Sequence, residues 1–132
     1  MSDLFTEVEE EQAGRVVKFS FARLPRLTSN TRLVWQAQMR RKHLIRKEGR
    51  RQGRACGVKL GRVRVRVIVH PKTYGRYDPT NWEPTFKALL DGLVDVGVLP
   101  EDNVTYVPQV TFEGGRRAAD GPRLDVILEE IC

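Results

Sequence analysis

Apolar and polar positions alternate over residues 16–21, with Val17, Phe19 and Phe21 on one side, and this period of two predicts a first strand. Pro25 ends it, and residues 26–30 form a polar connection. Leu33, Val34, Ala37, Leu44 and Ile45 then recur at helical spacing, which predicts a helix from Thr31 to about Lys47 capped by Asn30 or Ser29. A glycine-containing loop over 49–61 is expected next. Residues 62–70 give the cleanest strand, with Val63, Val65, Val67 and Val69 on one face and Arg62, Arg64 and Arg66 on the other. That arginine face reads equally as solvent-exposed or as part of a basic surface. After a Gly/Pro/Tyr-rich loop over 71–79, Phe86, Leu89, Leu90, Leu93 and Val94 mark the buried stripe of a second helix over 82–96, which Gly97 and Pro100 terminate. Strands over 104–112 and 124–131, separated by a turn at Gly114-Gly115, complete the order β-α-β-α-β-β. This predicts a compact single α/β (α+β) domain over 15–132, a mixed sheet with two main helices, behind an acidic, disordered tail over 1–14.

Charge adds a partner to this outline. The chain carries a net charge of +6, and its distribution is polar. Arg40, Arg41, Lys42, Arg46, Lys47, Arg50, Arg51 and Arg54 crowd one segment against the single acid Glu48, while Asp3, Glu7, Glu9, Glu10 and Glu11 crowd the start. Such a run reads as a nucleic-acid surface, the alternative being a solvated helix face. Few aromatics interrupt it, which disfavours a single-strand stacking groove. His43 lies within the run and reads as a surface residue rather than a general base; His70, at a strand end, has an equally weak claim. Cys56 and Cys132 are too few for a disulfide framework and have no metal-ligand neighbours, so they read as incidental thiols in a reducing cytoplasm. No apolar run suits a membrane span or an export signal, so neither membrane association nor export is expected.

Candidate chemistry concentrates in residues 78–103, DPTNWEPTFKALLDGLVDVGVLPEDN. Asp78 precedes the second helix, Lys87 and Asp91 are one turn apart within it, and Glu101 and Asp102 follow it. Lys87, Asp91 and Asp95 fall on a different face from the core stripe. Acids before, within and after one helix can converge on a divalent cation, because hard ions such as magnesium take oxygen ligands. The same residues also read as a turn aspartate, a Lys87–Asp91 helix pair and a solvated acidic turn.

The pattern Asp78-Pro79-Thr80-Asn81, Lys87-Ala88-Leu89-Leu90-Asp91-Gly92-Leu93, Gly97-Val98-Leu99-Pro100 and Glu101-Asp102 resembles that of the RusA-type Holliday junction resolvases of phages. The segment from Leu27 to Trp35, with its asparagine and aromatic, looks like the part of that family that follows the first strand. The likeness spans roughly residues 16–131. It departs in three places: Thr80 stands where many members have a second aspartate, Trp82 to Phe86 lengthen the join between Asn81 and Lys87, and the acidic pair is Glu101-Asp102. The resemblance implies a magnesium-dependent endodeoxyribonuclease, for which manganese can substitute, that resolves branched DNA by paired nicks as a homodimer, in a bacterial host's cytoplasm if phage-encoded. It implies Asp78 and Asp102 as metal ligands with Asp91 a third, and Lys87 at the scissile phosphate or orienting a ligand. Asn81 is then a ligand-positioning or loop-capping residue, with Glu101 and Asn30 in support and Trp82 a hydrophobic anchor. Two other readings stand beside it: a DNA-binding protein on the same fold without catalysis, and a nuclease that prefers flaps or forks.

Overall fold

The structure, a computed structural model, describes residues 6–11, 14–25, 27–29, 32–73, 75 and 77–131, with side chains described from Gly14 onward. Alternation of β-branched and aromatic residues builds the sheet. Strand β1 (Thr6–Glu11) pairs with β2 (Gly14–Ala22), which pairs with β5 (Arg123–Glu130); β5 in turn pairs with β3 (Val63–His70), and β3 with β4 (Gln109–Gly114). All pairings are antiparallel except β3–β4, so the sheet is mixed, in the order β1-β2-β5-β3-β4. The register places Val17 opposite Leu128, and Leu128 opposite Val65, then Phe19, Val126 and Val67 in the next row. Each of these side chains is fully buried, so one face of the sheet is the core face. Helices α1 (Trp35–Cys56) and α2 (Glu83–Asp95) contribute Ile45, Phe86, Leu89, Leu90 and Leu93 to the same core. The expected α+β class, with two helices and a mixed sheet, is what the chain adopts.

The arginines on the outer face of β3 are balanced within the sheet. Arg66 pairs with Glu113 on β4 at 2.8 Å and Arg64 with Glu129 on β5 at 3.3 Å. This face is therefore a salt-bridged surface rather than an extension of the basic run.

Four boundaries differ from the sequence expectation. Residues 6–11, expected in a disordered tail, form an edge strand, because β2 offers them a complete antiparallel ladder. Helix α1 begins at Trp35 rather than Thr31 and continues through the expected loop to Cys56, where Gly57 closes it with φ of 64°. Gly49 and Gly53 suggested a loop, yet both are buried in the helix. A Cβ on Gly49 would lie 2.4 Å from the Leu89 carbonyl oxygen, and one on Gly53 would lie 2.6 Å from Val96. The glycines exist for close helix approach, a tertiary demand that overrides their local preference for turns. Finally, β4 begins at Gln109 rather than residue 104. Asn103 Oδ1 accepts from the N–H groups of Thr105 and Tyr106, winding Val104–Val107 into a turn before Pro108. Among the described residues, no helix is long and apolar enough to cross a membrane.

Candidate functional site

The loop after β3 reaches α2 through a short 3₁₀ turn, Pro79–Trp82, which Asp78 caps. Asp78 Oδ1 accepts from the Thr80 backbone N–H at 3.0 Å and from the Thr80 hydroxyl at 2.7 Å. The hydroxyl bond first, and the backbone bond second, hold this exposed carboxyl below the ordinary carboxylate range. Thr80 thus carries no charge of its own but fixes one oxygen of its neighbour's carboxylate. Asn81 donates its N–H to the Asp78 carbonyl at 2.9 Å, and its carbonyl accepts from the Ser29 N–H at 2.8 Å. The buried Thr85 hydroxyl donates to the Leu27 carbonyl, and Trp82 is buried beneath the turn as the expected anchor. Together these bonds stitch residues 27–29 to the start of α2. Asn30 lies outside the described residues.

Lys87 is the centre of the arrangement. From the exposed side of α2 its ammonium reaches Asp91 Oδ1, one turn on, at 3.2 Å, and also forms a close ion pair with Asp102 Oδ2. Asp102 is brought there by the turn that follows α2. Glu101 accepts from the Asn103 amide at 2.7 Å. Asp95, which shares the Lys87–Asp91 face in sequence, serves a different purpose. It receives a two-point contact from Arg46 at 2.6 and 2.7 Å and a third bond from Arg50 at 3.1 Å. The Arg46 contact holds the Asp95 carboxyl below its usual range and raises the guanidinium above its own.

Two clefts meet at Lys87. One, of about 650 Å³, lies between Thr80, Glu83, Lys87 and Asp102, with Phe86 and Phe112 packed edge-to-face beneath it at 5.6 Å. The other, of about 340 Å³, lies between α1 and α2 and is lined by Met39, Lys42, His43, Arg46, Lys87 and Asp91. Asp78 bonds to Thr80 at the edge of the first cleft and does not itself line it. Glu83, which the sequence did not single out, borders the first cleft, and His43, expected at the surface, is exposed and borders the second. Glu83 stands one helical turn before Lys87, and His43 stands four residues after Met39, so helical spacing was the signal for both.

Every carboxylate bordering the site offers oxygen, the donor a hard divalent cation takes. Among the described residues, however, no three such groups stand close enough to hold an ion together, and the Lys87 ammonium supplies the positive charge between Asp91 and Asp102. The donors are of the type a hard cation takes, but Asp91 and Asp102 are both engaged by Lys87, so any shared ligation there would require Lys87 to yield one of them.

The basic run lies along α1 and divides by partner. Arg46 and Arg50 are committed to Asp95, and Arg51 to Glu48. Arg40, Lys42, Lys47 and Arg54 are exposed, and Arg41 is half-buried. The run is thus a cationic helix surface beside the Lys87 site, partly neutralised from within. Cys56, its thiol raised by burial, is remote from this chemistry, and Cys132 lies outside the described residues.

No family model matches the chain, and no curated protein does. Among solved structures, one described as an outer membrane protein from Borrelia burgdorferi B31 is similar over 96% of this chain and 97% of its own, at 16% identity and a TM-score of 0.42. A likeness this loose assigns neither a shared fold nor a function.

Proposed function

We propose that the protein is a magnesium-dependent endodeoxyribonuclease that nicks branched DNA, with four-way junctions its principal substrate, and that it works as a homodimer in the cytoplasm of a bacterial host. The observation that carries this reading is the placement of Lys87 between Asp91 and Asp102, beside the Asp78 turn and alongside an exposed cationic helix. These are the residues on which the sequence resembles the RusA-type resolvases.

Asp78 and Asp102 would hold the metal, with Asp91 as a third ligand or as the residue that orients Lys87. A bound magnesium or manganese ion supplies Lewis acidity and an activated water. Asp78 is suited to this because both Thr80 bonds engage Oδ1, holding the carboxylate in place and leaving Oδ2 outside them. The Lys87 ammonium binds a phosphate oxygen and offsets charge there. Asn81 positions the turn through its backbone rather than as a ligand. The exposed residues Arg40, Lys42, Lys47 and Arg54 neutralise backbone phosphates. Two coordinated nicks across a junction suit a two-fold dimer with two such sites.

A second reading, a DNA-binding protein without chemistry, is favoured by one observation: Lys87 already satisfies Asp91 and Asp102, and Thr80 adds no charge. A nicking assay on labelled four-way junction, flap and linear duplex, with and without magnesium, separates the readings. The proposal expects metal-dependent incision that is strongest on the junction. Binding without incision supports the second reading, and preference for the flap moves the substrate class.

A further inference from the structure

We infer that the ridge of α1 formed by Trp35, Met39, Lys42 and His43 is a nucleotide-binding surface, with a backbone phosphate seated between Lys42, His43 and Lys87 and a base stacked on Trp35. The inference rests on the nuclease reading above and assigns the path of the strand that leaves the Lys87 site.

Helical periodicity sets the ridge apart from the rest of the basic run. Positions 35, 39, 42, 43 and 46 follow one another at intervals of one, three or four residues, so they form a single flank of α1. The Met39, Lys42, His43 and Arg46 part of that flank borders the α1–α2 cleft, whose far wall is Lys87, Ala88 and Asp91. Lys87 lines this cleft and the Asp102 cleft alike, so the two adjoin at its side chain. Within it Arg46 is committed to Asp95, and Lys87 to Asp91 and Asp102. Lys42 and His43 are left to meet an incoming anion. At the open end of the flank, Trp35 is 69% exposed and Met39 43% exposed. An indole this exposed forgoes burial that a core or a turn would reward, and an aromatic plane beside a cationic groove is what stacks a nucleobase. Trp35 and Lys42 are two helical turns apart, roughly 10 Å along the axis, so a base and a phosphate can be engaged together. Charge selects the occupant: a DNA strand complements the exposed cations Arg40, Lys42 and Lys47 of α1, whereas a second copy of this cationic helix would repel it.

Tryptophan fluorescence tests the inference directly, because the other tryptophan, Trp82, is buried. The protein is titrated with a four-way junction in EDTA, following emission and affinity across a salt series. Trp35 emission should be quenched on binding. Trp35→Ala should weaken binding about tenfold and remove most of the quench, and Trp35→Phe should recover most of the affinity. Lys42→Ala should lower the slope of log K against log salt by about 0.9. Arg64→Ala, which removes the same charge from the salt-bridged sheet face, should leave the slope unchanged. Wild-type affinity and quench in Trp35→Ala, or equal slopes for the Lys42 and Arg64 variants, would overturn the inference while the nuclease reading stood. Loss of self-association in Trp35→Ala with undiminished DNA affinity would reassign the ridge to a protein contact and also overturn it. If the wild-type protein neither binds nor nicks the junction, the nuclease reading itself fails and takes this inference with it.

Discussion

Replacing Gly92 with alanine should destabilise the protein, against the usual direction for a glycine inside a helix. Alanine is favoured over glycine within a helix by about 1 kcal/mol, so an uncrowded site would gain stability. Gly92 is not such a site. A Cβ there would stand 2.3 Å from the Arg46 carbonyl oxygen and 2.8 Å from the Arg50 nitrogen, both backbone atoms of α1. Ordinary contact begins near 3.4 Å, so α1 must recede by roughly 1 Å. That movement loosens Leu89, Leu93 and Ile45, which are fully buried between the helices and the sheet. Overpacking of this kind costs ~1–3 kcal/mol, and more where backbone rather than side chain must move. The clash outweighs the propensity gain, and the net loss should be about 1–2 kcal/mol, or roughly 5 °C in Tm. Urea unfolding monitored by far-UV circular dichroism measures it, with an unchanged m value showing that the denatured state is not involved. The same displacement separates Lys42 and His43 from Lys87, so junction affinity should fall in parallel. A Gly92→Ala protein more stable than wild type would refute the close-approach account of the helix pair.

Other outcomes follow from the charges on α1. Asp95 has its folded-state pKa depressed by Arg46, so its contribution to stability is present above the unfolded carboxylate pKa and fades as pH falls through the folded value. With Asp95 partly exposed, Asp95→Asn should cost only about 0.5–1 kcal/mol at neutral pH, and the deficit should shrink in acid; urea midpoints at pH 7 and pH 3 check this. Arg40→Ala with Lys47→Ala should change stability by less than about 0.5 kcal/mol, because both side chains are exposed. The pair should lower the salt slope of junction binding by about 2, and an unchanged slope would make this face of α1 merely solvated.

How much of this was legible in the sequence depended on the range of the interaction. The alternation of Val63, Val65, Val67 and Val69 named a strand because every second residue meets the same core. The α2 stripe and the Lys87–Asp91 pair were visible because helical neighbours are three or four residues apart. The Lys87–Asp102 pair was not, since fifteen residues and a reversal of the chain separate them and only the packed turn joins them. Gly49 and Gly53 misled for a related reason: their local preference is for turns, while their function is met only when α2 lies against them. The acidic strand β1 has no hydrophobic alternation to advertise it and depends on the ladder that β2 provides. Asp95 shares a helix face with Lys87 and Asp91 in the sequence, and only the packing of α1 against α2 shows that it serves Arg46 and Arg50 instead.

Whether the Asp78 and Asp102 carboxylates serve a metal-dependent cut is decided by Asp78→Asn and Asp102→Asn in a magnesium nicking assay on a labelled four-way junction, with binding measured in parallel. Asparagine keeps the size of each side chain and at position 78 still caps the 3₁₀ turn, but it removes the charge that draws a hard cation. Both variants should fold and bind the junction at least as tightly as wild type, and incision should fall below detection. Incision at the wild-type rate by both variants, or none by the wild-type protein in magnesium or manganese, would contradict that role.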